Sequence, residues 1–373
     1  MAEELYRPGL EGIIAGETSI ATVEQDSLAY RGYRIEQLAE HSSFEESAYL
    51  LLHGELPTAD ELKSFKARLD EFRKLPAEVL ATIKAIPRGA PGMDVLRTGV
   101  SMVGHFSPIT GDSREALIDR ATHVLAVVPS IIAARLRYLD GKEPVDPQPG
   151  LSHAAQTLYM SFAKEPGDLE TRLLDLTLIL YAEHEFNAST FAARVCTSTL
   201  SDLYSAIVAG IGTLKGPLHG GANEEAMKLI GRFKSAEEAK AWTEQAIENK
   251  TKIMGFGHRV YKNGDHRARI LEPLMVDLAK QRGQQTLVDV YFAIKNTVFE
   301  RKGIHMNVDY PCGPTYYLMG LPLDIYTPLF VASRVSGWSA HIIEQYLNNR
   351  IIRPRSRYVG PPLRDYVPID KRG

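Results

Sequence analysis

The chain has 373 residues, with 43 Lys+Arg against 46 Asp+Glu and a formal net charge of −3. Phosphate binding at physiological salt draws on a clear excess of cations, so nucleic acid and an anionic membrane are excluded as main partners. With 44% hydrophobic and 24% charged residues, the composition is that of an ordinary globular chain, long enough for about two domains or one domain with an insertion.

Two cysteines occur, Cys196 and Cys312, so neither a disulfide framework nor a cysteine-rich metal site is expected, and a cytoplasmic location fits. The first residues, Met1-Ala-Glu-Glu-Leu-Tyr-Arg-Pro8, are acidic where a secretory signal carries basic residues, so export is not expected. The most apolar stretch, Val124 to Leu136, contains Pro129 and Arg135. It is shorter than the ~20 residues that cross a bilayer, so no membrane span is expected.

Strand-like alternation is scarce, with Thr18–Val23 and Tyr30–Tyr33 the main candidates, which predicts a small β element near the amino terminus. Ser43-Phe-Glu-Glu46 has capping-box spacing and predicts a helix closed by Gly54. Pro57-Thr-Ala-Asp-Glu61 repeats the signal, and Leu62, Phe65, Leu69 and Phe72 then mark one face of a second helix. Helical periodicity continues over Val79–Ile86, Asp94–Phe106, Arg114–Leu139, Gln156–Ala163, Asp168–Phe186 and Asn187–Gly210. Beyond these it covers Ala222–Ile230, Ala236–Lys250, His266–Arg282, Gln285–Arg301 and Pro328–Asn348. The predicted class is mainly α. Two short Pro/Gly-rich segments, Ile86–Gly92 and Asp140–Gly150, read as surface loops. Stronger breaks fall at Gly216-Pro-Leu-His-Gly-Gly221 and again near Gly313-Pro314 and Gly320, bracketing about a hundred residues.

The chemistry-bearing residues cluster at those breaks. His219 and His258 sit beside glycines in turn sequences, where backbone approaches a ligand closely and an imidazole projects from the end of an element. His184-Glu185 begins like a zinc-protease helix, but Ala188 stands where the second histidine is needed, so no metal site is expected. Gly255-Phe-Gly257 begins a dinucleotide fingerprint that fails at Val260, and neither a phosphate loop nor a serine elbow is found.

Arginines point to a small anion instead. Arg267 follows His258, Arg334 lies in a largely apolar run where an unpaired charge is costly, and Arg353 and Arg355 belong to a basic tail that reads either as solvated surface or as part of an anion site. Asp309 lies in Asn307-Val-Asp-Tyr-Pro-Cys-Gly-Pro314, a segment whose prolines argue against regular helix. It reads either as a cap or as a base.

Four segments together resemble the citrate synthase family, in particular its shorter bacterial and archaeal type: Gly216–Glu224, Lys252–Lys262, Asn307-Val-Asp309 and Ser336–Glu344. The resemblance runs from Gly9 through Gln345. It implies a two-domain helical fold, with residues 1–219 and 320–373 forming a large domain and 220–319 a small inserted one. By the same resemblance Asp309 takes a methyl proton from acetyl-CoA, His219 hydrogen-bonds the thioester oxygen, and His258 polarises the ketone of oxaloacetate. His184, Arg267, Arg334 and Arg353 match oxaloacetate-binding positions, with Arg353 entering from the other subunit of a homodimer. Met254, Gly255, Phe256 and Gly257 resemble a coenzyme A-contacting loop, and Lys262 and Lys302 align near its phosphates. Lys252, Arg259 and Arg355 are weaker candidates for the same ligand. His305 and Trp338 read as structural.

The reaction implied consumes a coenzyme A thioester as co-substrate and needs no permanently bound cofactor. Pro311-Cys312 stands where many relatives carry an aromatic and a small hydroxyl residue, which leaves the acyl-chain size open. The readings to be separated are citrate synthase, 2-methylcitrate synthase acting on propionyl-CoA, and a non-catalytic protein that binds acyl-CoA or dicarboxylate.

Overall fold

The structure, a computed structural model, describes residues 6–24, 27–258, 260–261 and 263–372. Near the amino terminus β1 (Ala21–Glu24), β2 (Ser27–Tyr30) and β3 (Tyr33–Arg34) form an antiparallel meander. Ala21 pairs with Tyr30, and Tyr30 in turn with Tyr33. Tyr30–Tyr33 is therefore not one strand but a hairpin corner, with Arg31 and Gly32 both at positive φ, as a two-residue turn between twisted strands requires.

Sixteen α-helices follow among the described residues, beginning with α1 (Ile35–His41), which periodicity did not reveal. α2 (Phe44–His53) starts on the expected capping box, Ser43 with Glu46, and ends at Gly54 in the left-handed region. α3 (Ala59–Phe72) starts on Thr58 with Glu61 in the same arrangement. Next come α4 (Ala77–Ala85), α5 (Gly92–Gly104), α6 (Arg114–Leu139), α7 (His153–Phe162) and α8 (Asp168–Tyr181). α8 stops five residues short of the periodic pattern, leaving 182–187 irregular. The long Asn187–Gly210 pattern is two helices, α9 (Ala188–Ser198) and α10 (Leu203–Leu214). Leu200 takes a positive φ between them, and Asp202 caps α10 by accepting the Ser205 N–H at 3.0 Å.

The chain continues through α11 (Ala222–Ile230), α12 (Ala236–Glu248), α13 (His266–Gln281), α14 (Gln285–Lys302), α15 (Asp309–Leu318) and α16 (Tyr326–Leu347). α15 corrects the reading of Asn307–Pro314 as non-helical. Pro311 falls in the first turn, where its missing N–H has no helical acceptor to lose, and only Pro314 lies deeper. Gly313 before it has no Cβ to clash with the ring. A Cβ there would also come within 2.6 Å of the Asn223 carbonyl, so the same glycine lets α15 approach α11.

The centre of the molecule is α6 and α16. By length and composition α6 is apolar enough to cross a bilayer, longer than the Val124–Leu136 run alone indicated, but 83% of its apolar window is buried against the fold. It packs on α16, α7, α3 and α5. α16 is buried along nearly its whole length and also meets α2, α8 and α9. Helices α11 to α15 pack chiefly on one another, touching the rest through α13 on α8 and α1, through α11 on α16 and through α15 side chains on α8. His184, just after α8, meets His258 and Tyr261 across that boundary, and Tyr181 of α8 meets Asp309 of α15.

Candidate active site

His219 stands on the turn between α10 and α11. Its Nε2 accepts the Ser189 backbone N–H at 3.2 Å and lies 2.8 Å from Ser189 Oγ. A backbone N–H can only donate, so Nε2 carries no proton and the ring's N–H is on Nδ1. Burial, with Arg334 adding to it, pushes this imidazole down to about 4, which keeps it neutral at pH 7. Ser189 is fully buried and fixed in turn. Its hydroxyl is 2.8 Å from Asn187 Oδ1 and receives the Trp338 indole N–H at 3.2 Å. Trp338, read as structural, thus supports His219 through Ser189.

In His258, Nδ1 accepts two backbone N–H groups, those of Val260 at 3.1 Å and Tyr261 at 3.2 Å. Its N–H is therefore on Nε2. The ring stacks on Tyr261 at 4.4 Å and meets His184 at 5.0 Å. His184 Nε2 is 3.1 Å from the Tyr261 hydroxyl. Burial, then Arg267, His258 and Arg334, hold His184 well below the usual histidine range.

Two buried arginines complete this side. Arg267 is 4% exposed and pairs with Asp265 through Nε at 3.0 Å and Nη2 at 2.8 Å. Asp265 also caps α13 and accepts the Val308 N–H at 3.0 Å, one residue before Asp309. Arg334, 2% exposed, donates from Nε to the Tyr181 carbonyl at 2.7 Å and lies 4.7 Å over the Phe330 ring. No described residue hydrogen-bonds its terminal NH2 groups or Nη1 of Arg267, which leaves both guanidinium forks able to hold carboxylates.

Asp309 opens α15. Tyr181 donates its hydroxyl to Oδ1 at 2.6 Å, and no described residue hydrogen-bonds Oδ2. Burial raises the carboxyl above its ordinary value. Tyr181, Arg267 and Arg334 pull it back down, while Asp265 adds to the rise. The charge of Arg334 is felt at His219, His184 and Asp309 alike, so the three surround one guanidinium.

The loop before His258 is tied to the segment before Asp309. Phe256 bridges Met306, the Gly257 N–H donates to the His305 carbonyl at 2.8 Å, and the Asn307 N–H donates to the Gly255 carbonyl at 2.9 Å. Gly255 is required there: its φ is +86°, and a Cβ would sit 2.9 Å from Cβ of Tyr310. Met254, Gly255, Phe256 and Gly257 are therefore adjacent to the segment that carries Asp309. His305 packs on Phe299 at 4.8 Å, a structural contact.

Not every expected residue joins the cluster. Arg353 and Arg355 are exposed on the extended tail after α16, with no described contact to it. Lys252 is exposed in the loop after α12, and Lys302 is exposed as the last residue of α14. Arg259 and Lys262 lie outside the described residues. Among the described residues no group of three or more His, Cys, Asp or Glu is placed to hold a metal ion. Tyr181, Ser189 and Asp265 were not anticipated. Asp265 alone had a local signal, its place two residues before Arg267 at a helix start.

A buried carboxylate, two imidazoles whose N–H positions are set by the backbone, and two buried arginines with donors to spare are gathered around Arg334 and His184. This is the equipment for removing a proton next to a carbonyl and stabilising the resulting oxyanion near a dicarboxylate. A family model described as citrate synthase, C-terminal domain, matches residues 9–355. The chain is 45% identical to 2-methylcitrate synthase 1 of Corynebacterium glutamicum over 100% of both chains. It is 44% identical to a citrate synthase of Mycolicibacterium smegmatis over 96% of each. Among solved structures it is similar to the ternary complex of carboxymethyl coenzyme A and oxaloacetate with citrate synthase from Thermoplasma acidophilum (TM-score 0.93, 35% identity, 99% of this chain and 100% of that one). It is also similar to citrate synthase from Pyrobaculum aerophilum (TM-score 0.92, 39% identity, 98% and 95%). The chain belongs to the citrate synthase family, enzymes that transfer an acyl group.

Proposed function

We propose that the protein condenses acetyl-CoA with oxaloacetate and hydrolyses the resulting citryl-CoA to citrate and coenzyme A. The observation that carries this reading is the tautomer of His219. With Nε2 occupied by the Ser189 N–H, Nδ1–H is the donor for the thioester oxygen. Asp309 takes a proton from the acetyl methyl group, the enolate carbon attacks the ketone of oxaloacetate, and Nε2–H of His258 protonates the new alkoxide. Water then cleaves the thioester. A thioester α-proton is weakly acidic, so a carboxylate removes it usefully only where a fixed donor meets the developing oxyanion.

Arg267, Arg334 and His184 hold oxaloacetate, and Arg353 of a second subunit completes its carboxylate site. Met254 to Gly257 hold coenzyme A, Lys262 and Lys302 serve its phosphates, and Lys252, Arg259 and Arg355 are weaker candidates for the same ligand. Residues 220–319 act as a small domain that closes on the large one once oxaloacetate is bound, excluding water from the enolate. The same reading places the enzyme in the cytoplasm, where Cys196 and Cys312 stay reduced.

A second reading, 2-methylcitrate synthase, is favoured by the curated relatives of that name at 45% and 46% identity. One methylene in a pocket changes discrimination by only about 1–3 kcal/mol. Comparing kcat/KM for acetyl-CoA and propionyl-CoA with oxaloacetate separates the two. Acetyl-CoA is expected to be preferred, and a tenfold propionyl preference reverses the assignment. A purely binding protein needs neither a base nor an oriented oxyanion donor, which argues against that third reading.

The shared site has its own test. Arg353→Ala and Asp309→Ala dimers are each expected to be inactive, whereas equal mixing under subunit exchange yields mixed dimers with one complete site. Recovery of about a quarter of wild-type activity is expected for a two-fold dimer. No recovery in verified mixed dimers refutes the shared site.

A further inference from the structure

Tyr181 ends α8, where the last carbonyls of the helix have no i+4 donor and that of Ile179 receives the Ala182 N–H at 3.3 Å. Neighbouring elements supply donors instead. Ser333 donates to the Leu178 carbonyl. Tyr30 donates to the Ile179 carbonyl at 3.1 Å and receives the Glu183 N–H at 3.2 Å. Arg334 donates from Nε to the Tyr181 carbonyl itself. The Tyr181 side chain is 1% exposed, its ring edge-on to Phe330 at 4.4 Å, the same ring that Arg334 covers. Its single hydroxyl proton lies on Asp309 Oδ1 at 2.6 Å, a charge-assisted hydrogen bond of the stronger kind.

We propose that Tyr181 is a positioning residue that ties the dicarboxylate-binding arginine to the base: its carbonyl holds Arg334, and its hydroxyl fixes Asp309 so that Oδ2 is the oxygen that takes the proton. The assignment rests on the condensation reading above and adds which oxygen reacts and how the two subsites are joined. A carboxylate held by one oxygen keeps the other aimed, while an unheld one rotates among orientations of which few meet the acyl methyl group.

The groups facing Asp309 are Tyr181 from α8, Asp265 and Arg267 from the start of α13, and Arg334 from α16. Cys312 and Tyr316 face it from α15 itself, and α11 contributes the neutral Asn223 beside Cys312. Of these, the Tyr181 hydroxyl is the group that favours the ionised carboxyl through a direct hydrogen bond. Removing it leaves burial less opposed, so the carboxyl protonates at higher pH. The base must be ionised to act, so the acidic limb of the rate profile moves upward.

Tyr181→Phe keeps the ring and its packing. With oxaloacetate saturating, kcat is expected to fall about tenfold to a hundredfold, the loss of one hydrogen bond to a charged group. The acidic limb of kcat/KM for the acyl-CoA is expected to rise by half a pH unit or more, with oxaloacetate affinity by calorimetry changed less than threefold. An acidic limb that stays in place overturns the assignment whatever happens to kcat, because a merely structural loss lowers activity without moving that limb. Should Tyr181→Phe not fold, 3-fluorotyrosine incorporated at position 181 keeps the shape and strengthens the donor. The limb is then expected to move downward, and no movement overturns the proposal. Wild-type turnover with acetyl-CoA or propionyl-CoA is measured first. Its absence refutes the condensation reading itself, separately from the role of Tyr181.

Discussion

Asp309→Ala is expected to lower kcat by about 10³-fold or more while oxaloacetate still binds. A positioned general base contributes roughly 10² to 10⁴, and among the described residues Asp309 is the sole carboxylate found both at the Tyr181 hydroxyl and among the fields of Arg267 and Arg334. The substitution removes a negative charge from beside a dicarboxylate site, so oxaloacetate is expected to bind as tightly as before or slightly more so. Turnover followed by thiol release, with binding followed by calorimetry, separates the two effects. Asp309→Asn serves as the isosteric control. Turnover within tenfold of wild type in both variants sinks the role of base.

The second large effect is expected at Asp265, a residue that touches no substrate in this reading. Asp265 is 2% exposed and holds Arg267, itself buried, through two hydrogen bonds. Asp265→Ala leaves that guanidinium without its counter-charge, which costs about 3–5 kcal/mol. At roughly 2.1 cal/mol/K per residue this is a fall of about 5 °C in Tm for a chain of this length. The variant also frees Arg267 and removes the acceptor of the Val308 N–H just before Asp309. Both KM for oxaloacetate and kcat are therefore expected to worsen, by about tenfold or more each. Asp265→Asn keeps an acceptor and is expected to recover part of the Tm. Wild-type Tm together with wild-type KM in Asp265→Ala refutes the proposed anchoring.

Local chemistry was legible wherever a signal is short in sequence. The capping boxes at Ser43 and Thr58 start α2 and α3 as read, and the periodic stretches Arg114–Leu139 and Ala222–Ile230 coincide with α6 and α11. His219, His258 and Asp309 were visible because each stands in a turn or at a break, where a polar side chain is not explained by a helix face. Two local rules misled. Prolines at 311 and 314 argued against a helix that tolerates both, and an unbroken apolar pattern hid the turn at Leu200 between α9 and α10.

The supporting residues were illegible for a different reason. Tyr181 closes an apolar helix pattern and reads as core, and Ser189 reads as an ordinary residue of a helix first turn. What makes them functional is a partner far along the chain: Tyr181 meets Asp309 across 128 positions, and Ser189 meets His219 across 30. By itself, then, the sequence determined where helices begin, which turns carry histidines and which family the motifs resemble, because caps, periodicity and motif spacing act over a few neighbouring residues. Only the tertiary structure decided which nitrogen of each imidazole holds the proton, which arginines are buried with donors to spare, and which oxygen of Asp309 is tethered. Tautomer and pKa are set by hydrogen-bond partners, burial and charge, and here those arrive from helices that only the fold brings together.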